Sequence, residues 1–445
     1  MKITKLGSAT VIIESNGISI LCDPWLIDGI YYGSWCNFPP IPVKDLNFDN
    51  IDYIYLSHIH PDHFDPKTMA LLSKDIPVLI HRYHRNFLKV NIERLGFKTI
   101  ELENGKPYKL SDEVEMFIFA ADDCDPAVCG HMFSCITNEL QGSLQLDSLC
   151  VVKDNEHVLV NANDCPYRIA ENTLKRVKML FPEIDFALVG YTSASLYPHC
   201  LMDYTEQEMK AGISQAIKHG FDSGMNTLKA LRPAFYMPFA GTYILGGFEY
   251  KKNKNLPLPE IQDAVKYFQN EEVIKDAGCR PILLTFNASF DIGTSEQTKE
   301  YVPVDVKERA QYIEGVASKF KYTFESEPFS SNQELLSLFE IATGRLKRKQ
   351  QEIGFFEDVN IVFDVNDNKF ISLNLSNAKP VVLSTMDGLQ NYQRFKLDTR
   401  LLKMALKGPR FASWNNIEIG ALLSFARKPD IYRIDIHTLL NSLHV

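Results

Sequence analysis

No stretch of about 18 consecutive apolar residues occurs in the 445-residue chain, so nothing in it reads as a membrane-spanning helix. The opening MKITKLGSATVIIES has no apolar core of the kind a secretory signal carries. Basic residues are outnumbered, 47 Lys and Arg against 56 Asp and Glu, and the formal net charge of −9 argues against a general nucleic-acid binder. Nine cysteines are an odd number, scattered without a CxxC pair. They fit reduced thiols in the cytoplasm better than a disulfide framework. Cys129-Gly130-His131 is half of a Rieske-type pattern, but no CxxH follows it, so a Rieske cluster is not expected in this chain. Internal repeats and low-complexity tracts are also absent.

What is present is an ordinary globular composition long enough for two cores. Short β-type runs fill the first half: 10–14, 19–22, 53–57, 77–81, 116–120, 149–153, 158–161 and 186–190. Turn formers such as Asn16-Gly17 and Asp154-Asn155 separate them. Helical patterns interleave at 66–74, 83–95, 170–180 and 205–220, the last placing His219 in a final turn that suits an imidazole. This order predicts a layered α/β sandwich rather than a βαβ repeat. A loop is expected over 240–260, a helix near 258–275 and a strand at 281–287. The polar stretch 291–302 marks a boundary between a metal domain, 1–290, and a smaller C-terminal α+β region, 301–445, with a helical end. Arg345-Leu-Lys-Arg-Lys reads as the solvated face of a helix.

The chemistry concentrates in YLSHIHPDHFDP, residues 55–66. On a loop directly after an apolar strand, His58 and His60 can turn two imidazoles toward one point, and Asp62 with His63 can reach a second. Neutral imidazole and carboxylate are ligands that zinc, iron and manganese accept. A polar turn with incidental histidines is a poor account of HxHxDH in that position.

This stretch resembles the signature of the metallo-β-lactamase superfamily, and the first 290 or so residues follow its pattern. The resemblance implies an αββα sandwich. GSATVIIESNGISILCDPWL is similar to the opening hairpin, with Asp23 beneath the metals. The next ligand corresponds to His131 in CGHMFSC, and the metal-bridging carboxylate to Asp164 in HVLVNANDCPY. The family's last histidine, expected in a context like YMPFAGTY, is replaced by Phe239. His199 is a weak substitute, and His81 and His84 read as surface or packing residues. One tightly held zinc or iron, with a weaker second ion, is therefore expected. GYTSASLYPHCLMDYTEQEM, NANDCPY and FASWNNIEIGALLSFARKPDIY resemble the metal domain of CMP-N-acetylneuraminate hydroxylases. A more distant likeness is to N-acylphosphatidylethanolamine-hydrolysing phospholipase D, which keeps the final histidine.

Three functions follow. The favoured one is a metal-dependent hydrolase, with Asp62 and His63 as catalytic residues at a metal-activated water attacking an ester, phosphodiester or amide. The substrate is a polar small molecule, sugar-nucleotide-like by resemblance. The alternative is an iron-dependent oxygenase of the hydroxylase type, which needs a separate redox partner. A non-catalytic metal-bound binding protein is the third. Tyr191, Ser193 and Ser195, after the strand at 186–190, are candidate substrate contacts. Trp414-Asn415-Asn416 reads as packing ahead of a cleft-closing role.

Overall fold

A computed structural model describes residues 1–83, 86–123, 147–377 and 379–445. Two large sheets carry the first part of the chain. The first has eight strands in the order Glu296–Gln297, Ala288–Asp291, Lys2–Lys5, Val11–Ser15, Ile18–Cys22, Tyr53–Tyr55, Val78–His81 and Thr99–Leu102. Its Asn16-Gly17 hairpin pairs Ser15 with Ile18 and holds both turn residues at positive φ, the two-residue turn that Asn-Gly favours. From Ile18–Cys22 onward the strands are parallel, so their C-terminal ends share one edge.

The second sheet has seven strands, ordered Arg280–Pro281, Phe235–Phe239, Phe186–Gly190, Val158–Asn161, Ser148–Lys153, Glu115–Ala120 and Tyr108–Lys109. Strict alternation buries one side of each sheet against the other: Ile3, Val11, Ile13 and Ile20 meet Ile118, Val152, Leu188 and Met237 in one core. Helices Pro66–Met69 and Phe87–Arg94 cover the outside of the first sheet through Met69, Leu88 and Ile92. Tyr167–Leu180, Glu206–Leu231 and Ile261–Gln269 cover the second through Leu174, Met225 and Phe268. The layering is αββα, as the resemblance implied. A fully buried side chain of this kind contributes about 1.5–3 kcal/mol, so each layer interface is a substantial fraction of the stability.

Farther along, a five-stranded sheet (Lys379–Leu383, Phe370–Asn374, Asn360–Asp364, Tyr392–Leu397, Leu423–Lys428) packs with helices Asn332–Ile353, Thr399–Lys407 and Ile434–Leu440. Its core is continuous with Trp25, Tyr31, Trp35 and Tyr243 from the loops of the first part. Backbone bonds from Met202 N to Phe425 O and from Phe425 N to Cys200 O stitch the two together. Arg345, Lys347 and Arg348 are exposed on the helix Asn332–Ile353, as their pattern indicated, whereas Lys349, expected on the same solvated face, is buried.

Four expectations change. The helix carrying His219 continues to Leu231, so His219 is mid-helix. Gly220 and Gly224 do not stop the helix because they let it approach the Tyr191 and Gly190 carbonyls, where an added Cβ would sit 2.6 Å away. Of the strand expected at 281–287 only Pro281 is strand, in Arg280–Pro281; the residues after it lead to the other sheet, where Ala288–Asp291 begins after Asn287 at φ 52. The loop over 240–260 contains a 3₁₀ helix, Gly247–Asn255. The C-terminus is not all helical, since Leu423–Lys428 is a strand. Among the described residues no helix is long and apolar enough to cross a membrane.

Candidate metal centre

The loop after Tyr53–Tyr55 leaves the parallel edge of the first sheet and folds on itself, with His63 N and Phe64 N both donating to His60 O. It ends where Asp65 caps the helix Pro66–Met69 by accepting from Thr68 N, with Pro66 at the first helical position. Asp65 is therefore structural. The four residues inside the turn face one another. His58 Nε2 lies 2.8 Å from His60 Nδ1 and 3.6 Å from Asp147 Oδ1. His63 Nε2 lies 3.4 Å from Asp62 Oδ2 and 3.5 Å from Asp164 Oδ2.

The far nitrogens are held from below. Asp23 Oδ1 accepts from Ser57 N and Ser57 Oγ, and that hydroxyl lies 2.9 Å from His58 Nδ1 and 3.2 Å from His63 Nδ1. Asp23 Oδ2 is 3.3 Å from His63 Nδ1. Occupying Nδ1 in both rings leaves Nε2 of each pointing into the cluster, the arrangement in which outer partners fix a metal-binding tautomer.

Asp164 comes from the second sheet. Asn163, at φ 44, turns the chain after Val158–Asn161, donates to Ser148 O, and accepts from Asp164 N. Gly190 on the neighbouring strand makes room, because a Cβ there would meet Asn163 O at 2.8 Å and Asp164 Cα at 3.1 Å. Asp147 sits just ahead of Ser148–Lys153, a strand antiparallel to Val158–Asn161, so its N-terminal end reaches the edge where Asp164 lies.

The electrostatics fit a cation. Burial, and then the facing imidazole, hold His58 and His60 below the ordinary histidine value, so both rings are neutral donors of a lone pair. Burial opposes charge on His63, yet Asp164, Asp62 and Asp23 push it well above the usual value. Burial and then the Asp164 charge push the Asp147 carboxyl up to about 7. Burial also works against ionised Asp62 and Asp164, but His63 draws both below the carboxylate range. The proton on His63 thus stands where a positive charge is demanded. His63 Nε2 and Asp164 Oδ1 are buried without a hydrogen-bond partner. Metal bonds of about 2.0–2.2 Å put neighbouring ligand atoms about 2.9–3.5 Å apart, and the His63, Asp62 and Asp164 atoms have that spacing. The donors fall into two groups: His58, His60 and Asp147, and His58, His63 and Asp164, with ligand atoms within 4.8 Å in each. The residues present fit a bound metal.

Of the residues expected from sequence, His58, His60, Asp62, His63 and Asp164 come together. His131 and His84 lie outside the described residues. Phe239 is buried in the core between the sheets. Tyr191 does not join the cluster: its ring is buried with the helix-side core of the second sheet, because alternation turns the residue after Gly190 outward. Ser193 and Ser195 are exposed, and Ser195 Oγ donates to Tyr197 O. His199 and His81 are buried outside both donor groups, and burial lowers them to about 3 and about 4. Two residues, Asp147 and Tyr31, were missed, and Asn415, read from sequence as packing ahead of a cleft-closing role, reaches a metal-facing histidine. Asp147 carried the signal of a carboxylate abutting a strand. Tyr31 OH donates to Asp62 Oδ1 at 2.5 Å, turning Oδ2 toward His63, and its ring packs on Trp35, which stacks on Tyr243. Asn415 Oδ1 lies 2.9 Å from His60 Nε2.

Residues 2–166 match the family profile described as the Beta-lactamase superfamily domain. A protein named as a Rieske 2Fe-2S iron-sulfur protein of Mycolicibacterium smegmatis is 31% identical over 201 residues, which are 44% of this chain and 35% of that protein. Cytidine monophosphate-N-acetylneuraminic acid hydroxylase of Mus musculus is 22% identical over 249 residues, 55% of this chain and 39% of that one. The chain spans less than half the length of these relatives. Among solved structures, isothiocyanate hydrolase from Delia radicum gut bacteria aligns with a TM-score of 0.44 and 17% identity, over 65% of this chain and 99% of that one.

Proposed function

We propose that this chain, with a β-lactamase superfamily domain over residues 2–166, is an iron-dependent oxygenase acting on a polar small molecule and drawing electrons from a separate protein. The observation that carries this reading is the donor group His58, His60 and Asp147. Two imidazoles and one carboxylate with open positions are the set that non-haem iron oxygenases use. The neighbouring donors, His63 with Asp62 and Asp164, add further hard oxygen ligands. Likeness to a protein named as a hydroxylase, and to one named for an iron–sulfur cluster, supports the same choice. A sugar-nucleotide-like substrate rests on that first name alone.

The chain's own residues have definite tasks in this proposal. His58, His60 and Asp147 hold the tighter ion. His63, Asp62 and Asp164 offer a weaker second position, because Phe239 supplies no imidazole. When bound, iron supplies the activation of dioxygen. Ser57 and Asp23 keep His58 and His63 in the tautomer that presents Nε2. Tyr31 keeps one oxygen of Asp62 occupied and carries a proton at that atom. The metal domain, expected over 1–290, takes in the hairpin to Gln297 at the edge of its first sheet, and 301–445 is an accessory region packed against its loops. The protein works in the cytoplasm, where its thiols, of which six are free and buried among the described residues, stay reduced.

A second reading, metal-dependent hydrolysis with zinc, is favoured by Asp62: with Oδ1 held by Tyr31, Oδ2 is aimed to orient a metal-activated water. Oxygen uptake separates the two. Protein loaded anaerobically with Fe(II) and given a chemical reductant is expected to consume dioxygen, and zinc-loaded protein is not. A flat oxygen trace, together with zinc-dependent cleavage of a generic phosphodiester, would make hydrolysis the function.

A further inference from the structure

The C-terminal region reaches the metal-facing loop at one short helix, Trp414–Ile419. Asn415 on that helix places Oδ1 2.9 Å from His60 Nε2, a contact spanning 355 positions of sequence. An amide oxygen only accepts, so His60 carries its proton on Nε2 and turns the lone pair of Nδ1 toward His58 Nε2 and the cluster. His58 and His63 obtain their outer partner from Ser57, within the same loop. Among the described contacts, His60 obtains its partner from the C-terminal region.

The helix is fixed from several sides. Ser413 N donates to Tyr32 OH, Trp35 Nε1 to Ile419 O, and Ser34 Oγ to Gly420 O. Asn415 N donates to Asn441 Oδ1. Gly420 lies so close to Tyr31 that a Cβ there would be 3.0 Å from Tyr31 Cβ. Tyr31 is the residue that holds Asp62. One segment therefore backs a ligand of each metal position, His60 directly and Asp62 through Tyr31.

We infer that Asn415 is a positioning residue for the metal centre: it fixes the His60 tautomer, and through it the C-terminal region completes the site. The inference rests on His60 being a metal ligand and not on which reaction the metal serves. It makes metal affinity and docking of the C-terminal region two faces of one equilibrium, since binding to the docked form alone stabilises docking.

The test uses the full chain. Cobalt(II) titration against a competing chelator measures affinity, and the cobalt absorption bands report ligand geometry. Asn415→Leu keeps the approximate volume and removes the acceptor. It is expected to weaken cobalt binding about 10- to 100-fold and to shift the bands. Asn415→Asp restores an acceptor and is expected to recover both readouts, a recovery that simple packing would not produce. Wild-type affinity and spectrum in Asn415→Leu, or a folded Asn415→Asp variant as impaired as Asn415→Leu, would overturn the inference. Should Asn415→Leu fail to fold, nitrogen-15 spectra of the wild-type histidines decide: His60 protonated on Nε2 is required, and a proton on Nδ1 contradicts the proposal. If the wild type itself binds no cobalt, the metal-centre reading fails instead, and the two failures remain distinct.

Discussion

Asp62 and His63 are neighbours in sequence, yet their Oδ2 and Nε2 converge to 3.4 Å, with no hydrogen bond made at His63 Nε2. Consecutive residues achieve this because the turn closed on His60 O folds the loop over Asp23. A buried imidazole nitrogen in that condition loses free energy unless a hydrogen-bond partner or a metal ion fills the gap. A metal ion at this point fills the gap.

Asp147→Asn tests whether this carboxylate belongs to the first position. The amide keeps the shape and removes the charge, so metal affinity is expected to fall by more than the about 10- to 100-fold that loss of an outer partner costs. Competition titration against a chelator reads it. Unchanged affinity would return the third place to His131.

Gly190→Ala tests the wedge that seats Asp164. The added methyl would meet Asn163 O at 2.8 Å, and the clash is expected to cost about 1–3 kcal/mol and to weaken metal binding together. Thermal melts with and without metal check both effects. A variant that loses stability but retains full affinity would show that Asp164 can shift without harm.

What the sequence made legible, and what it hid, has a physical basis. His58, His60, Asp62 and His63 were readable because a single turn gathers them, so spacing alone carries the geometry. Asp164 was readable because it follows an apolar strand at an edge the family pattern fixes. Asp147 precedes its strand, and it reaches the same edge only because that strand runs antiparallel, which spacing does not reveal. Asn415 depends on how two cores dock 355 residues apart, and no local pattern encodes that. Tyr191 was misplaced for the opposite reason: a loop position was legible, but the side of the sheet it faces was not. The αββα layering was legible from strand order, whereas Gly220 and Gly224 hid the true length of the helix Glu206–Leu231.

Phe239→His tests the second position. Among the described residues Phe239 stands in an apolar core, so an imidazole there without metal is expected to destabilise the protein by about 1–3 kcal/mol. With zinc present, stability is expected to recover and stoichiometry to rise toward two. Elemental analysis and paired thermal melts check this. Two tightly held ions in the wild type would contradict the account.

The helix behind Asn415 carries a pH signature. His437 Nδ1 lies 2.6 Å from Glu418 Oε1, which also accepts from Trp414 Nε1. Burial disfavours charge on His437, but Glu418 outweighs it and raises the histidine above its ordinary value. A raised folded value means that the protonated state stabilises the fold fully below about 6.5, and that the contribution is lost as pH rises through the folded value. Melts from pH 6 upward should show wild type losing its margin over His437→Gln as pH rises. A margin that is constant or that grows with pH would refute the pairing.

The most direct test of the central claim is Mössbauer spectroscopy of the full chain loaded anaerobically with iron-57. Two donor groups that share His58 are present, His58 with His60 and Asp147, and His58 with His63 and Asp164, with Asp62 3.4 Å from His63 beside the second. High-spin Fe(II) with nitrogen and oxygen ligands is expected, with a tighter component that survives dialysis and a weaker one that does not. Iron that fails to bind while zinc binds one to one in a four-coordinate site would contradict it.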